Sequence, residues 1–137
     1  MNIWSVETDF IARWAAQVPR MLVVGTLDQI DWTANESPCV AGQVVFNGLV
    51  PGDEVRGTVK VSPQYSAHVF LDAVRCVAAD KAKAAQAIEA ALKCVTGWEV
   101  TPGFFAKVAP GQVTGFDGRL IRVSVSFFVP AVAVGLV

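Results

Sequence analysis

In "EVRGTVKVSPQYSAHVFLD", residues 54–72, polar and apolar side chains alternate in one unbroken phase. Glu54, Arg56, Thr58, Lys60, Ser62, Gln64, Ser66, His68 and Asp72 fall on one side. Val55, Val59, Val61, Tyr65, Ala67, Val69 and Leu71 fall on the other, and only Phe70 interrupts the polar side. Period two over this length predicts an antiparallel sheet with one wet face and one buried face. Pro63 has no N–H to give a ladder, so it marks an edge position, a bulge or a break between two strands.

Upstream, "CVAGQVVFNG" (39–48) reads as a strand ending at Asn47-Gly48, and "VPGDE" (50–54) as a turn. Met21–Val24 has the makings of a short strand, and the segment 31–38 is polar and turn-rich. Before these, Ser5 is placed to cap a helix running to about Gln17, with Glu7 and Asp9 in its first turn. Val6, Phe10, Ile11, Trp14 and Val18 share one face of that helix, and Pro19 stops it.

Downstream, "AADKAKAAQAIEAALKCV" (78–95) is helical by propensity. Its expected apolar stripe is Ala84, Ala87, Ile88, Ala91, Leu92 and Val95, and Gly97 ends it. "FFAKVAP" (104–110) reads as a short strand. Asp117-Gly118 is a hairpin turn, followed by a strand with Ile121, Val123, Val125 and Phe127 inward and Arg122, Ser124 and Ser126 outward. The order is helix, β-meander, helix, closing β-hairpin. The expected class is α+β, a mainly antiparallel sheet carrying both helices. The 137 residues are expected to form a single domain, 1–137, with 131–137 as an apolar C-terminal extension.

That extension, "AVAVGLV", is no membrane anchor. The apolar run from Phe127 to Val137 has eleven residues, and a spanning helix needs about 20. Lying beyond Pro130, it is expected either to fold back or to lie on a neighbouring subunit, the second being favoured. The N-terminus, with Glu7 and Asp9 and without a basic n-region, does not read as a secretory signal.

Composition narrows the function. Hydrophobic residues make up 53% of the chain and charged residues only 17%, against about 25% charged in an ordinary domain. A surface so short of charge suits either coverage by other protein or a dense core with a surface of small residues, since Ala, Val and Gly raise hydropathy. Eleven basic and twelve acidic residues are interspersed, with no basic block, so specific nucleic-acid binding is not expected.

No catalytic, cofactor or metal site is expected. His68 is the sole histidine, and Asp72, four residues along the strand, is about 13 Å from it. Cys39, Cys76 and Cys94 are widely spaced without a CxxC pair, which predicts inert thiols and no zinc. "GTLDQ", "GLVPGDEVRG" and "APGQVTGFDG" match neither phosphate-binding fingerprint. Asp28, Asp31, Glu36, Asp53 and Glu54 lack calcium-loop spacing. The alternative to a non-enzyme is a small ligand-binding domain or an enzyme using the polar sheet face around His68, Arg56 and Lys60.

Order and spacing also carry a family likeness. "SPCVAGQVVFNG" (37–48) resembles the Pro-Ala-x-x-Val…Gly strand of small tail proteins of long-tailed phages. "VSPQYSAHVFLDAVR" (61–75) resembles their long central strand. "AAQAIEAALKCVTGWEV" (84–100) is similar to a helix ending in Leu-x-Gly-Trp, and "DGRLIRVSVSFFVP" (117–130) to their closing strand. The chain resembles tail-terminator proteins, especially those of Mu-like phages and prophages, over roughly residues 38–130. The resemblance implies a structural virion protein, not an enzyme, needing no cofactor. It implies a homo-oligomeric ring, hexameric in such proteins, that caps the tail tube and joins it to the head. Its partners would be further copies of itself, the tail tube protein and a head-completion or neck protein. Its place would be the virion tail, after assembly in the host cytoplasm.

Overall fold

A computed structural model of the chain describes residues 2–32, 38–109, 114–117, 119–130 and 132–135. Helix α1 spans Ile3–Gln17. Its cap is Asn2, not Ser5: the Asn2 side-chain oxygen accepts from the Trp4 N–H at 2.9 Å. Ser5 instead donates its hydroxyl to the Asn2 carbonyl at 2.8 Å. The earlier start leaves the first turn without an acid. Glu7, displaced from that role, accepts from the Thr26 N–H at 2.8 Å and from the Thr26 hydroxyl. Val6, Phe10 and Trp14 are buried, as their shared face predicts, with Ile11 and Val18 half-buried at its margins.

The long alternation is not one strand. Strand β1 (Leu22–Val24) pairs in parallel with β2 (Val40–Val55), which pairs antiparallel with β3 (Thr58–Asp72). The turn between β2 and β3 is Arg56-Gly57, with φ of 51° and 77°. Two consecutive left-handed residues match the twist of a two-residue hairpin. "VPGDE" is therefore not the turn, and Asn47-Gly48 does not end the strand. Both interruptions are bulges, seen as register shifts between Phe46 and Gly48 and between Pro51 and Glu54. Pro-Gly and Asn-Gly satisfy a bulge as well as a turn, so local chemistry alone ranked them wrongly.

Helix α2 is Ala78–Val95, the predicted span, and Gly97 follows it at φ 72°. Its buried face is Ala84, Ala87, Ala90, Ala91, Cys94 and Val95. Leu92 is exposed and Ile88 half-buried, so the stripe is rotated from the expected one. α2 packs on both α1 and the sheet, and the small side chains take the crowded side.

Strands β4 (Glu99–Thr101) and β5 (Phe104–Phe105) form a small separate pair. The expected strand "FFAKVAP" is thus divided: its second part, β6 (Lys107–Val108), joins the main sheet. Strands β7 (Thr114–Asp117) and β8 (Leu120–Phe128) form the closing hairpin, in register Asp117 opposite Leu120. Gly118 lies outside the described residues, as does the polar segment 33–37.

The main sheet runs β1-β2-β3-β8-β6, with β7 also on β8 and β9 (Val132–Gly135) on β3. The class is α+β and mainly antiparallel. Residues 132–135 of the extension fold back: β9 places Val132 opposite Val61 and Gly135 opposite Thr58. The expectation that it lies on a neighbour instead of on its own chain is corrected by this pairing. Pro63 sits where the outer partner of β3 changes, between Gln64 opposite Phe128 and Val61 opposite Val132. Its carbonyl accepts from the Val129 N–H at 3.1 Å. Since N–H and C=O of a strand residue point the same way, the missing donor faces the gap between two partners.

The core lies between the helices and one sheet face. Phe127 is 4.6 Å from Phe10 and stacks on Tyr65 at 5.2 Å between ring centroids. Trp14 lies across Gly42, where an added Cβ would come within 2.8 Å of the indole. That close approach requires glycine on this strand.

Candidate functional site

The second sheet face was expected to be wet. Ser66, Asp72 and Ser124 on it are instead buried, and each is satisfied by a neighbouring group. Strand register sets Ser66 opposite Ser126 and His68 opposite Ser124. The Ser66 and Ser126 hydroxyls lie 3.0 Å apart, and Asn47 donates to the Ser66 hydroxyl. His68 Nδ1 shares a hydrogen bond with the Ser124 hydroxyl. Phe70, the lone apolar residue in this phase, packs edge-on to Trp32 at 6.3 Å and beside His68 at 5.9 Å.

Asp72 ends the row. Its carboxylate pairs with Arg119, which reaches back from the β7–β8 turn and also donates to the Trp32 carbonyl at 3.1 Å. The hydrogen bond from Arg119, outweighing burial, holds the carboxyl below its usual range, with help from the Val74 N–H. Asp72 is thus committed to Arg119 and does not orient His68.

Burial, and then the nearby Arg122 charge, lowers the His68 pKa to about 4. At neutral pH the ring is neutral and a weak base, and Ser124 beside it is only 3% exposed. The pair can join β3 to β8; it presents no accessible nucleophile. Arg56 and Lys60 do not converge on it. Arg56 is in the hairpin turn, and Lys60 stands eight strand residues from His68, about 26 Å away.

A pH dependence follows from His68. The folded pKa is below the unfolded value of 6.5, so the unfolded chain binds the proton first. The contribution is complete above pH 6.5 and is lost as pH falls towards 4. The ring is only part-buried, and solvent screening reduces the effect to about 1–2 kcal/mol. Urea unfolding at pH 7 and pH 4.5 should show His68→Asn losing less stability between the two than the native chain. Equal losses would remove the assignment. The Asp72 contribution is lost lower, below its unfolded value of 3.8.

Sequence spacing missed a second grouping. Cys39, Cys76 and Asp80 place their ligand atoms within 4.8 Å of one another, all half-buried. Cys39 precedes β2 and Cys76 follows β3, so the antiparallel pairing brings its two open ends together. Burial, then the neighbouring Cys39, raises the Cys76 thiol. Cys94 lies apart, buried on α2, and its thiol is likewise pushed up by burial.

No family model and no curated protein matches the chain. A solved chain from the virion of a native gene transfer agent particle does match, with a TM-score of 0.56. The fold is shared with a virion chain. Identity is 14%, and the match covers 94% of this chain and 90% of that one. In this fold the two outer strands of the main path are β1 and β6. Among the described residues both flanks carry exposed apolar side chains. Leu22 and Leu27 project beside β1, Leu27 being 90% exposed; Phe105 and Val108 project at the β6 end. Ile88, Leu92, Val108, Val123 and Val125 also line an open groove of about 450 Å³ there. No described helix is long and apolar enough to cross a membrane.

Proposed function

We propose that the chain is a structural virion protein and, more specifically, a tail terminator. It acts as one domain of 137 residues that closes into a ring, hexameric by resemblance. The ring caps the tail tube and joins it to a head-completion or neck protein, in the virion tail after assembly in the host cytoplasm. The observation carrying this reading is the fold shared, over 94% of the chain, with a chain of a gene transfer agent virion. The order of the sequence motifs supports the finer role.

The flanks add a physical reason. A ring of identical subunits needs two different surfaces that meet head to tail. The β1 flank offers projecting leucines, and the β6 flank offers an apolar groove with Phe105 and Val108 exposed beside it. The neutral, part-buried His68 and the Ser124 hydroxyl bonded to it support a framework role over a catalytic one.

Native mass spectrometry of the purified chain, alone and with tube protein, tests the reading. Closed rings or tube-bound oligomers are expected. Leu27→Asp and Val108→Glu should each leave the monomer folded, by circular dichroism, and abolish assembly. A chain that stays monomeric and never associates with tube protein would overturn it.

A further inference from the structure

We propose that Cys39, Cys76 and Asp80 form a binding site for a soft divalent cation, with zinc as the fitting ion. The framework role makes no use of these residues. Their three ligand atoms already lie within 4.8 Å of one another. Tetrahedral zinc, with bonds of about 2.3 Å to sulfur and about 2.0–2.2 Å to oxygen, sets ligand atoms about 3.5–3.8 Å apart. Closing the difference takes side-chain rotation and no change of fold.

The backbones that carry the ligands are tied together. The Asp72 N–H donates to the Cys39 carbonyl at 2.9 Å, and the Cys76 N–H to the Asp72 carbonyl at 2.8 Å. The Cys76 thiol donates to the Cys39 carbonyl at 3.1 Å. Asp80 is the third residue of α2, and its Oδ2 accepts from the Val77 N–H at 2.9 Å. A carboxylate accepts at several lone-pair positions, so this bond leaves room for a metal. Two sulfurs select zinc over magnesium or calcium, which take oxygen ligands. The fourth position falls to water or to a donor from outside the chain. On binding, two metal–sulfur bonds form and the two thiol protons pass to solvent.

Cobalt(II), titrated into the full chain held reduced by a phosphine, tests the site. A sulfur-to-cobalt charge-transfer band and tetrahedral d–d bands are expected, saturating at one ion per chain and displaced by zinc. Cys39→Ser and Cys76→Ser should each weaken binding about ten-fold or more and remove much of the charge-transfer intensity. Asp80→Asn, which keeps an oxygen for Val77, should weaken binding and retain the charge-transfer band. Cys94→Ser should change nothing. No charge-transfer band in the native chain, or a band lost with Cys94, overturns the proposal. The native titration stands by itself, so a poorly folded variant cannot rescue it. Neither result depends on whether the chain assembles.

Discussion

Trp14→Ala is expected to destabilise the protein by about 3–5 kcal/mol, a large part of the 5–15 kcal/mol by which a domain of this kind is ordinarily stable. The indole is fully buried, stacked across Gly42 on β2 and set 5.9 Å from the Phe10 ring. Its Nε1–H donates to the Ala87 carbonyl of α2 at 2.9 Å. One side chain therefore joins α1, α2 and the sheet. Trp14→Phe keeps most of the volume and loses the hydrogen bond, for a smaller cost of about 1–3 kcal/mol. Gly42→Ala in the native background should cost about 1–3 kcal/mol, because its methyl would press into the ring. In the Trp14→Ala background the same methyl enters vacated space, and its cost should fall or change sign. Urea unfolding of the four members of this cycle checks it. Additive effects would show that Trp14 and Gly42 do not share the space described.

Removing residues 131–137 is expected to open one end of β3 and leave the other closed. β9 pairs with Thr58–Val61, whereas β8 pairs with Gln64–Asp72. Each lost main-chain hydrogen bond is worth about 1 kcal/mol. A local loss of about 2 kcal/mol raises amide exchange about 30-fold. Exchange should therefore accelerate at the β3 amides of residues 58–61 that face β9. Those of residues 64–72 should stay protected, with little change in the melting midpoint. Acceleration throughout β3 would mean that β9 supports the whole core.

Much of this architecture is legible in residue order because it rests on local patterns. Helix α2 matches its predicted span since alanine propensity and Gly97 both act within a few residues. The inward phase of Tyr65, Ala67, Val69 and Leu71 follows from strand geometry alone. What escaped reading depends on partners distant in sequence. Arg56-Gly57 is a weaker turn signal than Pro51-Gly52, and only the register of β2 on β3 selects it. Ser66, Ser124 and Asp72 look like solvent-facing residues until Asn47 and Ser126 are brought to the first, His68 to the second and Arg119 to the third. The Cys39–Cys76–Asp80 grouping was invisible as spacing, yet it follows once the two ends of the hairpin are known to meet. The return of the apolar tail onto β3 has no local signal, since its phase is broken at Pro130.

Pro63 has a mechanical side. At the level where β3 passes from one outer partner to the other, the facing strand β2 carries its bulge, with Leu49 opposite Pro63 and Asn47 squeezed out just beyond. At that level the ladder changes on both sides of the central strand. Above it stand the aromatic core and the helices; below it the hairpin tip is held by β2, β3 and β9 alone. The tip is thus joined to the core through β2 and β3 only, and it is closed on its outer side by residues 132–135.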